Sequence, residues 1–171
     1  MTADRMAEVD MAGPYYYATI VCVTTKDSKF ANAKSIADLA GGTCTAQSGT
    51  IWYDSCLPQI PEANILPPAD NAPGMIMQLE TGTAEFVCTD MPTAMGAVAK
   101  NDNLVILNFS GTEGDFQFAS EEERADNVNI GIAVRKGNTE LKDAMDKVLS
   151  ALNEEQFNAL MDQAIANQPA I

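Results

Sequence analysis

Two kinds of hydrophobic pattern alternate along this chain. Short runs rich in β-branched and aromatic residues, typical of strands, occur at residues 15–24, 43–46, 64–66, 84–89, 104–107 and 128–134. Apolar residues recur at helical spacing at residues 35–39, 50–60, 73–81, 92–100, 141–152 and 157–165. Strands that alternate with helices of about ten residues predict a mainly parallel sheet with helices on both faces. The expected fold class is therefore α/β.

Local signals mark several element ends. Pro73 is expected to start a helix that Gly82 ends. Asn153 is expected to cap the last helix, with Gln156 three residues further on as its partner. Residues 109–127 are rich in Gly, Glu and Asp and predict an exposed excursion with little regular structure.

Two of the predicted strands differ from the others in position. Residues 17–24 and 128–134 are long and bracket the alternating series. Strands that bracket a compact unit can be the two crossings between lobes. The chain, at 171 residues, is long enough for one ordinary domain or two small lobes.

Composition narrows the classes of function. Asp and Glu number 24 against 10 Lys and Arg, giving a net charge of −14, which disfavours binding to nucleic acid or an anionic membrane. Histidine is absent, and with it the commonest general base and metal ligand. The four cysteines lack CxxC spacing, so a zinc site is not expected. Free buried thiols are favoured, with a Cys44–Cys88 pair on neighbouring strands as the alternative.

The most informative chemistry lies after two of the strands. The run at 43–46 ends in a sharp turn, Gln47 to Thr50, and a helical pattern follows at once. Backbone N–H groups are free at a helix start and attract an anion. The run at 84–89 ends in an acid, Asp90. Since both strand ends face one crevice in an open α/β sheet, they suit the carboxylate and the ammonium of an α-amino acid.

Each of these residues also has a purely structural interpretation. Ser48 or Thr50 would serve as a helix cap, and Asp90 would cap the helix that begins near Pro92. A carboxylate has enough acceptor sites for a cap and a ligand together. Trp52 lies just past the turn, after Ile51. A tryptophan on such a helix is more typical of a core residue than of one that lines a cleft.

Six motifs then point to a family. The chain reads T-A-D-R at residues 2–5, V-D and P-Y-Y within 9–16, S-I-A-D-L at 35–39, Q-S-G-T at 47–50, T-D-M-P at 89–92 and I-G-I-A-V-R-K-G-N at 130–138. They resemble T-x-x-R, V-D-F-S-x-P-Y-Y, S-x-x-D-L, Q-x-G-T, T-D-x-P and Y-G-I-A-V-R-K-G-N of the polar amino-acid substrate-binding proteins of ABC transporters, solute-binding protein family 3. The resemblance covers the whole chain in the family's order.

The resemblance implies a type II periplasmic-binding-protein fold in an N-terminally truncated form. Residues 23–130 would form a complete second lobe, and residues 1–22 and 131–171 the remainder of the first lobe with the hinge strands. The protein would bind a small amino acid or related polar solute between the lobes and deliver it to a membrane ABC permease. No cofactor and no metal are implied. The full-length form would be extracytoplasmic, and the incomplete lobe would allow exchange between two chains.

The resemblance also assigns roles to residues. Arg5 matches the arginine that holds the ligand's α-carboxylate as a bidentate pair. The Ile51 N–H and the Thr50 hydroxyl or N–H would donate to the same carboxylate, while Gly49 and Ser48 form the turn that the ligand approaches. Gln47 would tune specificity, and Asp90 would hold the ammonium.

Two other classes of function stay open at this stage. Some relatives of this fold are cyclohexadienyl dehydratases, so an enzyme is one alternative. The absence of histidine and of a paired acid in either motif disfavours it. A ligand-sensing domain of a membrane receptor is the other alternative.

Overall fold

Strands and helices alternate through most of the chain in a computed structural model, which describes Met1 and residues 3–167. Thr2, the first residue of the T-x-x-R motif, lies outside the described residues. The strands are β1 Val9–Tyr17, β2 Ile20–Thr25, β3 Thr43–Ala46, β4 Asn64–Ile65, β5 Phe86–Asp90, β6 Leu104–Leu107 and β7 Asn129–Arg135. The α-helices are α1 Ala3–Glu8, α2 Ala72–Glu80, α3 Met91–Val98, α4 Glu121–Val128, α5 Thr139–Leu149 and α6 Glu154–Ala166. Shorter 3-10 or π turns cover Ile36–Leu39, Trp52–Cys56 and Leu57–Gln59.

The described chain divides into two compact units. The first combines Met1–Ala18 with Phe118–Ala166, and the main segment of the second is Thr19–Gln117. Within the described residues, no helix has both the length and the apolar character that crossing a bilayer requires.

The first unit is built on an antiparallel pair of strands. β1 and β7 pair from Val9 opposite Arg135 to Tyr17 opposite Asn129, with an irregularity after Ala12. The Gly13 N–H donates to Asp146 Oδ1 at 2.8 Å and so ties β1 to α5. The adjacent Lys142 ammonium and this hydrogen bond hold the pKa of Asp146 below its usual range.

The second unit is built on a five-stranded sheet in the order β4-β3-β5-β2-β6. β3 pairs in parallel with both β4 and β5, while β2 runs antiparallel to both β5 and β6. Four strands therefore run one way and β2 runs against them. The predicted mainly parallel sheet flanked by helices is confirmed.

Alternation along the strands sends one set of side chains to each face of this sheet. One face carries Val21, Val23 and Val87, which share a buried cluster with residues of α2 and α3. The other face carries Phe86, whose ring meets Phe30 edge-on at a centroid distance of 5.5 Å. Both faces are thus covered, because β2 and β5 are apolar at most buried positions; the exceptions are Thr24 and Thr89.

The predicted strand at residues 15–24 is wrong as one continuous element. The structure ends β1 at Tyr17 and starts β2 at Ile20. The reason is a change of hydrogen-bonding partner: the Ala18 N–H donates to Val128, whereas the Thr19 carbonyl accepts from Met91. A run of strand-forming residues does not reveal such a change.

The predicted irregular excursion at residues 109–127 is also wrong in part. Phe109, Asp115 and Phe116 are buried, and α4 begins at Glu121. Ser120 Oγ caps the helix by accepting the Glu123 N–H at 3.0 Å. The Glu123 carboxylate accepts from the N–H of Ala119, the residue before this cap, and so also ties down the helix start.

The predicted helix at residues 50–60 is confirmed in position but not in form. It consists of a π turn, Trp52–Cys56, followed by a 3-10 turn, Leu57–Gln59, that contains Pro58. Trp52 is buried, as the core interpretation expected.

The last two helices keep their predicted positions but bury less than expected. Asn153 and Gln156 form the predicted reciprocal cap, with N···O distances of 2.9 and 3.1 Å. Leu160, expected on the buried face of α6, is 52% exposed, and Val148 of α5 is 64% exposed. The described part of the first unit covers these apolar stripes only in part: Phe157 packs on Tyr15 and Tyr16, while Leu160 and Val148 stay exposed.

Glu85 joins the starts of β3 and β5 to the end of β2 and makes a pH-dependent contribution to stability. Its carboxylate accepts the Thr43 N–H at 2.8 Å and pairs with Lys29 at 2.9 Å, while its carbonyl accepts from Thr24. The Thr43 hydrogen bond, with Lys29 second, lowers the pKa of Glu85 from its ordinary value of 4.5. A lowered folded-state pKa stabilises the fold above the ordinary value and loses that effect as pH falls below it.

We expect Glu85→Gln to lower the urea midpoint at neutral pH, and the difference from wild type to shrink as pH falls below 4.5. Urea titrations at a series of pH values check this. Glu113→Gln, at an exposed glutamate of the same unit, is the matched control. A Glu85→Gln difference that does not change with pH would contradict the assignment.

Gly42 gives a second prediction, on packing. A Cβ at this position would lie 2.6 Å from Phe86 and 2.7 Å from Phe30, the two rings of the edge-on pair. We expect Gly42→Ala to destabilise the protein by about 1–3 kcal/mol through overpacking. Because Phe30 is one of the two rings that the new methyl group would meet, the double variant with Phe30→Leu should lose less than the sum of the two single changes, as measured by urea unfolding.

Candidate functional site

The site begins at one edge of the five-stranded sheet. β3 and β5 are parallel neighbours, with Ala46 opposite Cys88. Their carboxyl ends therefore lie at the same edge, where the chain continues into Gln47 after β3 and where Asp90 ends β5. The structure thus brings the Gln47 turn and Asp90 together at this edge.

The turn after β3 is fixed by backbone and side-chain hydrogen bonds. Gln47 is partly buried and forms an isolated parallel β-bridge with Ala69. The carbonyl of Ala69 accepts the N–H of Ser48, an exposed residue, at 2.8 Å. Gly49 adopts φ 68°, a conformation that favours glycine. A Cβ at Gly49 would meet nothing within 4 Å, so the backbone conformation and not crowding requires glycine here.

The helix that follows starts without help from a side chain. The Thr50 carbonyl accepts from the Tyr53 and Asp54 N–H groups at 3.2 and 3.1 Å. The N-cap residue of this helix is Ile51, whose side chain has no acceptor. The expected cap by Ser48 or Thr50 therefore does not form. The first N–H groups of a helix have no acceptor within the helix, which leaves them available to an anion.

The hydroxyl of Thr50 has a different role from the one expected. Thr50 Oγ1 donates to the Gln47 carbonyl at 2.7 Å and closes the turn. Its hydrogen is therefore already in use, which leaves the backbone N–H as the candidate donor from Thr50. The contact of Thr50 with a ligand carboxylate stays a prediction.

Asp90 is the helix cap that the structural interpretation expected. Its Oδ1 accepts the Thr93 N–H at 2.8 Å, at the start of α3. One oxygen serves this bond, and the carboxylate keeps acceptor capacity on the other. Asp90 is only partly buried and lies opposite Ile20 in the ladder with β2.

Arg5 lies in the first unit, whereas the turn and Asp90 lie in the second. It is part of α1, and its side chain is exposed. Its pairing with a ligand carboxylate stays a prediction.

Sequence reasoning missed one residue that shapes the site. Ala69 holds the turn through its carbonyl, which accepts from Ser48, and its N–H, which donates to Ala46 at 3.0 Å. The available signal was the Pro67-Pro68 pair just before it, which excludes helix and favours an extended chain. In the described part of the chain, no group of three or more His, Cys, Asp or Glu residues is placed to hold a metal ion.

Three solved structures place this architecture among known proteins. An amino acid ABC transporter substrate-binding protein from Streptococcus pneumoniae bound to L-arginine aligns with TM-score 0.78 and 24% identity, over 99% of this chain and 65% of its own. The arginine-bound form of a truncated ArgBP from T. maritima aligns with TM-score 0.65 and 30% identity, over 90% of this chain and 64% of its own. An ancestral amino acid-binding protein, a precursor of cyclohexadienyl dehydratase, aligns with TM-score 0.70 and 24% identity, over 95% and 64%.

These likenesses confirm the predicted periplasmic-binding-protein fold. The chain spans slightly less than two thirds of the length of each of the three structures. A family model described as bacterial extracellular solute-binding proteins, family 3, matches residues 1–166. On that match, the chain belongs to family 3 of the bacterial extracellular solute-binding proteins.

Proposed function

We propose that this chain carries part of an amino-acid binding site, and that the whole protein captures an amino acid outside the cytoplasm for an ABC importer. The observation that supports this most is the meeting of the Gln47–Ile51 turn and Asp90 at one sheet edge. The Thr50 and Ile51 N–H groups lie at a helix start that no side chain caps, and Asp90 offers an acceptor oxygen. An α-amino acid carries the complementary pair of charges.

The proposed roles follow from these atoms. The α-carboxylate accepts from the Thr50 and Ile51 N–H groups and pairs with the Arg5 guanidinium. The ammonium donates to the oxygen of Asp90 that does not cap α3. Ser48 and Gly49 let the ligand approach the turn backbone, and the Gln47 amide contributes to side-chain selectivity. Residues 23–130 act as one lobe, and closure of the lobes on the ligand presents the protein to a membrane permease.

The bound amino acid is proposed to be held without covalent chemistry. The only carboxylate in the two proposed motifs is Asp90, and the sequence contains no histidine, so a proton-transfer pair is not assembled there. Two of the three structural neighbours described above hold arginine, which makes L-arginine the first ligand to test.

We expect isothermal titration to detect saturable binding of at least one of the twenty L-amino acids, L-arginine among them. The titration uses this chain and, where the gene encodes more residues, the full-length product. Because no covalent step is proposed, the ligand should be recovered unchanged. Failure of every amino acid with both proteins would overturn the proposal, and product formation from prephenate would support the dehydratase alternative instead.

Asp90 can be tested so that its two roles separate. Asp90→Asn keeps a capping oxygen but loses the charge, so we expect unchanged thermal stability and ligand binding weakened by about 1.5–3 kcal/mol, more than tenfold. Asp90→Ala loses both, and should also lose about 1 kcal/mol of stability. Asp54→Asn, at an exposed aspartate just after the turn, is the control. Equal binding by wild type and Asp90→Asn would exclude the ammonium role.

A further inference from the structure

All four cysteines of the chain lie in the core of the second unit. We call Cys22, Cys44, Cys56 and Cys88 the thiol cluster; each is 0% exposed, and each is a free thiol in the structure. Three of them lie on one face of the sheet. Cys22 is directly opposite Cys88, and Cys44 is opposite Phe86, which is on the same face as Cys88 because it lies two residues before it on β5. Burial, with the neighbouring Cys22 thiol and the Cys56 thiol of the π turn as further causes, raises the pKa of Cys88.

The register determines which two thiols are placed for bonding. The Met91 N–H donates to the Thr19 carbonyl, so these two residues form a hydrogen-bonded pair at the start of the β2–β5 ladder. Hydrogen-bonded and non-hydrogen-bonded pairs alternate along an antiparallel ladder. Three residues further along β2, Cys22 and Cys88 therefore form a non-hydrogen-bonded pair.

The other side of β2 leads to the same assignment. The Lys26 N–H donates to the Asn103 carbonyl at 2.7 Å, which makes these residues a hydrogen-bonded pair in the β2–β6 ladder. Counting four residues back, Cys22 is hydrogen-bonded with Leu107 of β6. The backbone N–H and C=O of Cys22 thus face β6, and only its side chain meets Cys88.

A non-hydrogen-bonded pair suits a disulfide. Its Cα atoms lie about 4.5 Å apart, inside the range of roughly 4.4–6.8 Å that disulfides span. The Cys44–Cys88 pair considered from sequence does not fit as well. Cys44 is two residues out of register with Cys88 on a parallel neighbour, which puts their Cα atoms roughly 8 Å apart.

We propose that Cys22 and Cys88 form a cross-strand disulfide when the protein folds in the presence of a disulfide oxidant. One cysteine attacks a small-molecule or protein disulfide, releases one thiol and forms a mixed disulfide. The second cysteine then attacks the protein sulfur and releases the second thiol, so two protons and two electrons pass to the oxidant. Cys44 and Cys56 stay reduced.

Burial sets when this reaction occurs. The thiolate is the attacking form, and desolvation raises the pKa of Cys44 to about 12 and raises that of Cys88. In the folded protein the Cys44 and Cys88 thiols are therefore protonated, and all four thiols are closed to solvent. Oxidation therefore belongs to the folding chain, when β2 and β5 have paired but the core around them has not yet closed to solvent. In a cell, a supply of disulfide oxidant depends on the extracytoplasmic location given under the proposed function. The test in vitro supplies its own oxidant, so the disulfide can fail while the proposed function holds, and the reverse.

The test is to refold the reduced chain from denaturant in a mixture of oxidised and reduced glutathione, to block remaining thiols with iodoacetamide, and to map the peptides. We expect most chains to carry a Cys22–Cys88 bond, with Cys44 and Cys56 alkylated. Chains without a protein disulfide, or a bond containing Cys44 or Cys56, would overturn the proposal. This readout uses the wild-type chain and does not depend on a variant folding.

Two comparisons make the test sharper. Folded, reduced protein in the same mixture should oxidise at least about tenfold more slowly than the refolding chain, and equal rates would contradict gating by burial. Cys22→Ala should abolish the bond and Cys44→Ala, at a matched buried position on the same face, should retain it. The oxidised wild type should unfold at a higher urea concentration than the reduced wild type, and Cys22→Ala should give one midpoint in both buffers.

Discussion

The pairing of β2 with β5 is the interaction on which the second unit depends. β2 lies between β5 and β6 and runs against every other strand of the sheet, and β6 joins the sheet only through it. The same ladder fixes Asp90 opposite Ile20 at the edge and Cys22 opposite Cys88 two residues inward. One register therefore positions the candidate ligand acid, the start of α3 and the proposed disulfide. A slip by one residue would turn each of these side chains to the wrong face.

Much of the fold was accessible from sequence because its signals are local. The apolar runs that became β3, β5 and β6, and the cap formed by Asn153, depend on residues within a few positions of each other. The break after Tyr17 was not accessible, because it reflects which strand each backbone group pairs with. The Ser120 cap of α4 was present in the sequence as Ser120-x-x-Glu123, but the surrounding glycines and acids outweighed it.

The candidate site divides in the same way. The common edge for Gln47 and Asp90 follows from chain direction alone, because parallel strands that are each followed by a helix end together. The use of the Thr50 hydroxyl within its own turn, and the support from Ala69, follow from three-dimensional contacts that no spacing rule encodes. Arg5 belongs to the other compact unit, and its role was suggested only by resemblance.

The carboxylate of Asp90 also has an evolutionary consequence. Capping of α3 needs only one side-chain oxygen, which asparagine or serine also provides. Attraction of a cation needs the negative charge of the carboxylate. If Asp90 holds the ligand ammonium as proposed, asparagine or serine at this position would change the charge that the site attracts without removing the cap of α3. The two roles of this side chain can then evolve separately.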